Sequence, residues 1–177
     1  MAYCRRPRRS RRSNANGPVN ENLRSLLAGT AGPSVAAVTT VLLTILAKPK
    51  AGDLAGRERT VRLFLIGLAA QCPHFMEEFV ARFEDRFPAR PQNFFVVFNL
   101  MWLCVWILSA IGLQRGYRFA LFPGWFFAIA GIVNGIAHPI FAIVARGYFP
   151  GLITSPVVGA MEGLLWLSLQ ALTAPPA

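Results

Sequence analysis

The sequence predicts an all-α fold, a polytopic membrane helical bundle of about five transmembrane helices, and three observations predict it. Hydrophobic residues make up 54% of the 177 positions and charged residues only 15%, outside the balance of a soluble domain. The apolar residues are blocked into five runs, 26–47, 61–81, 94–113, 118–145 and 152–172, each about 20 residues or more, as a ~30 Å hydrocarbon core requires. Six arginines stand in RRPRRSRR near the N-terminus, and most of the other cations fall in the short connections. The net charge of +10 therefore reads as a positive-inside signal and not as a nucleic-acid arm. The expected surroundings are a lipid bilayer, with no nucleic-acid partner. A cytoplasmic N-terminus places 11 Lys and Arg on the tail side against 7 on the other, a bias that depends on the tail.

Each element follows from local composition. Residues 1–25 are Arg, Ser, Asn, Gly and Pro with almost nothing to bury, so a disordered basic tail is expected before a transmembrane bundle over 26–173. No apolar run directly follows the arginines of SRRS, which argues against a twin-arginine export signal. The first span carries only Ser and Thr as polar groups, and their hydroxyls can bond back to helix carbonyls. The second span contains Pro73, which lacks an N–H and predicts a kink just before His74. RFEDRFPARP alternates charge with Phe83 and Phe87 and suits either a headgroup-level segment or a solvated turn. The third span is bulky and aromatic, with Trp102 and Trp106 expected to pack or face lipid. The fourth turns small and polar at Gly131, Asn134, Gly135 and His138; its GxxxG permits close helix approach. The fifth holds Ser155, Pro156, Gly159, Glu162 and Gly163. Cys4, Cys72 and Cys104 are odd in number and unclustered, so no disulfide framework is read, and Cys72 and Cys104 are expected as small apolar packing residues.

The stretch VRLFLIGLAAQCPHFMEEFVAR (61–82) places His74, Glu77 and Glu78 within an otherwise apolar span. An ionised side chain at mid-bilayer costs about 2.5–3.5 kcal/mol on insertion scales, so such groups face protein and mark function. At helical spacing the three lie within an arc of roughly 100°. Spans two and four run in the same direction, and His74 precedes Arg82 by eight residues just as His138 precedes Arg146. Both imidazoles are then expected about 12 Å below one surface. The same arithmetic puts Asn99 at a similar level, Asn134 somewhat deeper and Glu162 about 16 Å in, one polar layer in one leaflet.

Two histidines and three glutamates form a sufficient ligand set for a divalent metal such as zinc or iron. The metal ligands expected are His74, Glu77, Glu78, His138 and Glu162. Glu77 or Glu78, where it is not a ligand, is the expected catalytic general base; Asn134 belongs to the site and Asn99 stands behind it or at its mouth. No HExxH or HxxEH is present. Three alternatives stay open: a metal-free acid/base enzyme or small-molecule binding protein built on the same groups, a proton- or cation-coupled transporter, and interhelical polar contacts alone. The leading expectation is a metal-assisted membrane enzyme acting on an apolar or lipid-like, amphiphilic substrate.

His74-Phe-Met-Glu77-Glu78, Asn134-Gly-Ile-Ala-His138 and Arg146-Gly-Tyr148-Phe-Pro150-Gly151 together resemble the HXXEE family of uncharacterised, mostly bacterial membrane proteins. The resemblance covers about residues 61–172. It implies a bacterial cell membrane and a site around these motifs, and no activity. Arg146 and Tyr148 join the expected site at its mouth.

Overall fold

The computed structural model describes residues 34–48, 52–86 and 92–173, which form helices and turns with no strand. The helices are α1 (Ser34–Leu46), α2 (Leu54–Val80), α3 (Gln92–Gln114), α4 (Leu121–Ala145) and α5 (Ser155–Thr173). Short 3-10 turns at Phe83–Arg86 and Arg118–Ala120 follow α2 and lead into α4. The tail expected over 1–25, Cys4 and the first part of the first expected span lie outside the described residues.

The all-helical class stands, but the expected five spans narrow to two when judged by length and composition. Among the described residues only Asn93–Gln114 and Arg118–Ala145 are long and apolar enough to cross a membrane. The described helix α1 is too short for that test. At 27 and 19 residues, α2 and α5 are long enough but not apolar enough, and the reason is where their polar residues point. In α2 His74 and Glu78 are buried, whereas every exposed residue from Leu65 to Val80 is apolar or Pro. In α5 Ser155, Glu162 and Ser168 are buried, and every exposed residue from Pro156 to Leu167 is apolar or Pro. Over these stretches the outward faces are apolar and buried polar groups lie among the core residues, unlike a soluble amphipathic helix, whose outward face is polar.

Helix ends follow local chemistry. Asp53 caps α2 by accepting from the Gly56 N–H at 2.8 Å, satisfying one of the unpaired donors of the first turn. α4 stops at Arg146, which takes a left-handed conformation with φ 52°, and the Gly147 N–H bonds back to the Ala142 carbonyl at 3.1 Å. Pro156 lies in the first turn of α5, where a missing N–H breaks no helical bond. Both α2 and α4 continue through their internal prolines, Pro73 and Pro139.

The core lies where α2, α4 and α5 meet. Phe64, Trp125, Phe127, Leu165 and Leu169 are buried together, and the Phe64 and Phe127 rings stack at 5.1 Å. α4 and α5 approach most closely at two glycines: a Cβ on Gly135 would lie 2.7 Å from the Gly159 Cα, and one on Gly159 2.9 Å from the Gly135 Cα. The GxxxG of α4 thus faces α5, with no methyl tolerated on either side. α3 joins through Trp106 against Phe127 at 4.5 Å and Trp102 against Phe126 at 4.6 Å, so both indoles pack. Arg118 ties α1 to the start of α4 by donating to the Ile45 and Ala47 carbonyls, both at 3.0 Å. The reading of Cys72 and Cys104 as packing residues is corrected: both are free and exposed, on faces of α2 and α3 turned away from the core.

Candidate metal centre

The segment joining α4 to α5 does not stay at the surface. Beyond the αL stop at Arg146, residues Phe149, Pro150 and Gly151 are buried, and the chain turns at Gly151 with φ +87°. It folds back over the ends of α2 and α4 and brings backbone and side-chain groups onto both imidazoles. The Pro150 carbonyl lies 2.6 Å from His138 Nδ1, and Thr154 Oγ1 lies 2.9 Å from His74 Nδ1. Only glycine fits at 151. Its Cβ would sit 2.6 Å from His138 Cε1 and Nδ1 and 2.9 Å from His74 Cε1, and the positive φ excludes most side chains besides.

Glu77 is what holds this segment. One of its oxygens accepts from the Tyr148 hydroxyl at 2.8 Å and the Ile153 N–H at 3.0 Å. The other accepts from the Thr154 N–H at 2.9 Å and the Thr154 hydroxyl at 2.6 Å. Tyr148 remains a donor, because partial burial and the adjacent Glu77 carboxylate push its pKa up to about 12.

These contacts decide the tautomers of both histidines. The Thr154 hydroxyl spends its one proton on Glu77, so toward His74 it can only accept, and His74 Nδ1 must carry the N–H. A carbonyl can only accept, so His138 Nδ1 carries its N–H as well. Both neutral imidazoles therefore present a bare Nε2 lone pair, and both lone pairs face Glu78. His138 Nε2 lies 3.4 Å and His74 Nε2 3.6 Å from the same oxygen, Glu78 Oε1. The rings meet edge-on with centroids 5.0 Å apart. His74 Nε2 is buried with no hydrogen-bond partner. With Glu78 ionised, three electron-rich atoms converge without a donor among them, the arrangement a cation completes, and a set of ligand atoms from His74, Glu78 and His138 lies within 4.8 Å. The two Nε2–Oε1 separations, 3.4 and 3.6 Å, are near the roughly 3.3 Å that ligand atoms about 2.0–2.1 Å from a tetrahedral zinc keep from one another, farther apart than hydrogen-bonded partners. Phe83 and Phe149 cover His138, with ring centroids 5.8 and 5.7 Å away.

The other expected site residues are distributed differently. Glu77 adjoins the centre, but both its oxygens are occupied by donors, which places it behind His74 through Thr154 and not beside Glu78. Glu162 is fully buried but stands against Gly67 and Gly131. Each of these glycines precedes its histidine by seven residues, about two turns or roughly 10 Å. The expected single polar layer is corrected in this respect. It assumed that the fifth helix starts from the surface, whereas the returning segment starts α5 at the level of the imidazoles and carries Glu162 deeper. Asn99 donates to the Phe95 carbonyl of its own helix at 2.9 Å and lines a shallow apolar groove with Gln71, Cys72 and Phe75. Asn134 is half-buried and enters none of the hydrogen bonds of the centre. Arg146 is exposed and acts as the stop of α4. Tyr148 does reach the site, through Glu77.

Three contributors were not singled out from the sequence for these roles. Thr154 directly precedes Ser155 and Pro156 and reads as ordinary helix-start chemistry, and a carbonyl or amide such as those of Pro150 and Ile153 leaves no mark in a sequence. The Pro150-Gly151 dipeptide was the available sign that a tight turn stood near the motif. In comparisons with known proteins, a family model described as protein of unknown function with HXXEE motif matches residues 61–161. No curated protein and no solved structure matches the chain.

Proposed function

The chain belongs to the HXXEE-motif family, whose function is unknown, and from that premise we propose that it is an integral membrane protein that holds a divalent metal, zinc or iron, on His74, His138 and Glu78 and uses it on an apolar or lipid-like substrate. The observation that carries the reading is the pair of imidazoles whose bare Nε2 atoms meet one carboxylate oxygen at 3.4 and 3.6 Å. A single proton on Glu78 can bridge only one of these contacts and leaves the other imidazole unmatched. A metal ion takes all three donors at once, so the metal-free acid/base alternative accounts for less of the geometry.

When bound, a divalent ion on three protein ligands supplies a Lewis acid with a fourth position for water or a substrate oxygen. The chain's own residues orient and exclude. Thr154 and the Pro150 carbonyl hold the two rings in their tautomers, as the outer partners of metal-bound histidines do. Glu77 holds Thr154, and Phe83 and Phe149 keep water from His138. With Glu77 saturated by donors, Glu78 is the carboxylate left to hold the ion beside the two imidazoles.

The membrane part of the proposal rests on the exterior of the bundle. Leu42, Ile45, Leu65, Met76, Leu108, Ile136, Ile143, Val144 and Leu167 are exposed on α1 to α5, far more apolar surface than a soluble monomer displays. α2 and α5 then cross as well, with their polar residues turned inward as intramembrane polar groups are. With the arginine-rich N-terminus cytoplasmic, the metal centre lies near the cytoplasmic face. Element analysis of the full-length protein purified in detergent tests the proposal: near-stoichiometric zinc or iron is expected in the native chain and none in His74→Ala. Absence of metal from both would overturn it and leave Glu78 with acid/base chemistry alone.

A further inference from the structure

α2, α4 and α5 bury a second carboxyl apart from the imidazole pair. Glu162 has no exposed surface, and neither of its oxygens has a hydrogen-bond partner among the described residues. Its space exists because two facing positions lack a side chain: a Cβ on Gly67 would collide with Glu162 Oε1, and a Cβ on Gly131 with its Cγ. Two glycines on two different helices thus shape a cradle for one acidic side chain. Farther along the same α2–α5 contact the buried hydroxyls of Thr60 and Ser168 pair at 2.9 Å. On α2 the positions Thr60, Gly67 and His74 recur every seven residues, so polar groups occupy three levels of one seam, about two turns apart.

Among the described residues no charge answers Glu162. α2 presents Gly67 to it and α4 presents Gly131. On the imidazole side the ionisable groups of these helices are Cys72, His74, Glu77 and Glu78 on α2 and His138 on α4, and on the other side Arg57, Glu58, Arg59 and Arg62 of α2. The two nearest Gly67, Arg62 and Cys72, stand five residues from it and are exposed, Arg62 paired with Glu58, and α5 has no other ionisable residue. An ionised carboxylate so placed would have lost its water and gained neither cation nor donor, whereas the acid form leaves only a neutral group to accommodate.

We propose that Glu162 is a separate proton-binding site, a carboxylic acid in a glycine cradle that exchanges its proton with water entering along the α2–α5 seam. The step is a proton transfer alone: the O–H bond of Glu162 breaks as an O–H bond forms on water, and the reverse transfer restores the acid. It does not depend on metal at the imidazole site. Infrared spectroscopy of the full-length protein in phospholipid vesicles at neutral pH tests it. The carbonyl stretch of a protonated carboxylic acid is expected, shifted in heavy water and lost in Glu162→Gln, while the metal content of that variant equals the native value. Dicyclohexylcarbodiimide, an apolar reagent for protonated carboxyls, is expected to label the Glu162 peptide of the native chain and of His138→Ala. The peptide map of the native chain needs no variant to fold. An acid band of undiminished intensity in Glu162→Gln, a band that fails to shift in heavy water, or an unlabelled Glu162 peptide would overturn the proposal. Loss of metal in Glu162→Gln would overturn the separation of the two sites.

Discussion

Gly151→Ala is expected to empty the imidazole site of metal while Gly163→Ala leaves it filled. The added methyl at 151 has no direction in which to go. It would meet three atoms of two rings at 2.6–2.9 Å, and neither ring can retreat without giving up its Nδ1 bond to Pro150 or Thr154. The backbone adds its own cost, since φ +87° lies where L residues pay roughly 1–2 kcal/mol. Disturbing the groups that orient metal-binding histidines lowers affinity by about 10–100-fold, and here both histidines are pushed at once, so the expected loss is at the upper end or beyond. Gly163 is the matched control because a Cβ there meets nothing within 4 Å. Equal metal in Gly151→Ala and the native chain would mean that the turn does not set the imidazoles.

Glu77→Ala is expected to release the returning segment and weaken metal binding without removing a ligand. Four donors close on that carboxylate. Hydrogen bonds to a charged acceptor contribute about 1.5–3 kcal/mol each when shielded, and less where they face water, as the Tyr148 and Ile153 bonds do. Losing the set frees the Thr154 hydroxyl, and with it the restraint that gives His74 its Nε2 lone pair. Hydrogen exchange should rise at the Ile153 and Thr154 amides, and metal affinity should fall about 10–100-fold, the range seen for outer-shell partners. If Glu77 were itself a ligand, the metal would be lost outright; native exchange rates at both amides would refute its role as the anchor of the segment.

How far the site could be read from sequence differs residue by residue. His74 and His138 were placed at one depth because two helices of the same direction each end at an arginine eight residues on, and their rings do lie 5.0 Å apart. Helical periodicity could not separate Glu77 from Glu78. They are neighbours on one arc, and the difference between them is made by a loop some seventy residues away that returns to claim Glu77. Depth counting failed for Glu162 for the same reason, since it takes the start of a helix as the membrane surface. Depth counting brings Asn99 to the level of the histidines, yet an asparagine can satisfy itself on its own helix, as Asn99 does. The fold was legible as helices because the apolar runs are long, whereas hydropathy alone does not say that His74 and Glu78 of α2 and Glu162 of α5 turn inward.

X-ray absorption at the zinc or iron edge, on the full-length protein, bears most directly on the proposed convergence of His74, His138 and Glu78 on a metal. The geometry predicts a shell of nitrogen and oxygen at about 2.0–2.1 Å with scattering from two imidazole rings, reduced to one ring or abolished in His138→Ala. A shell without imidazole, or one unchanged by that substitution, would contradict it.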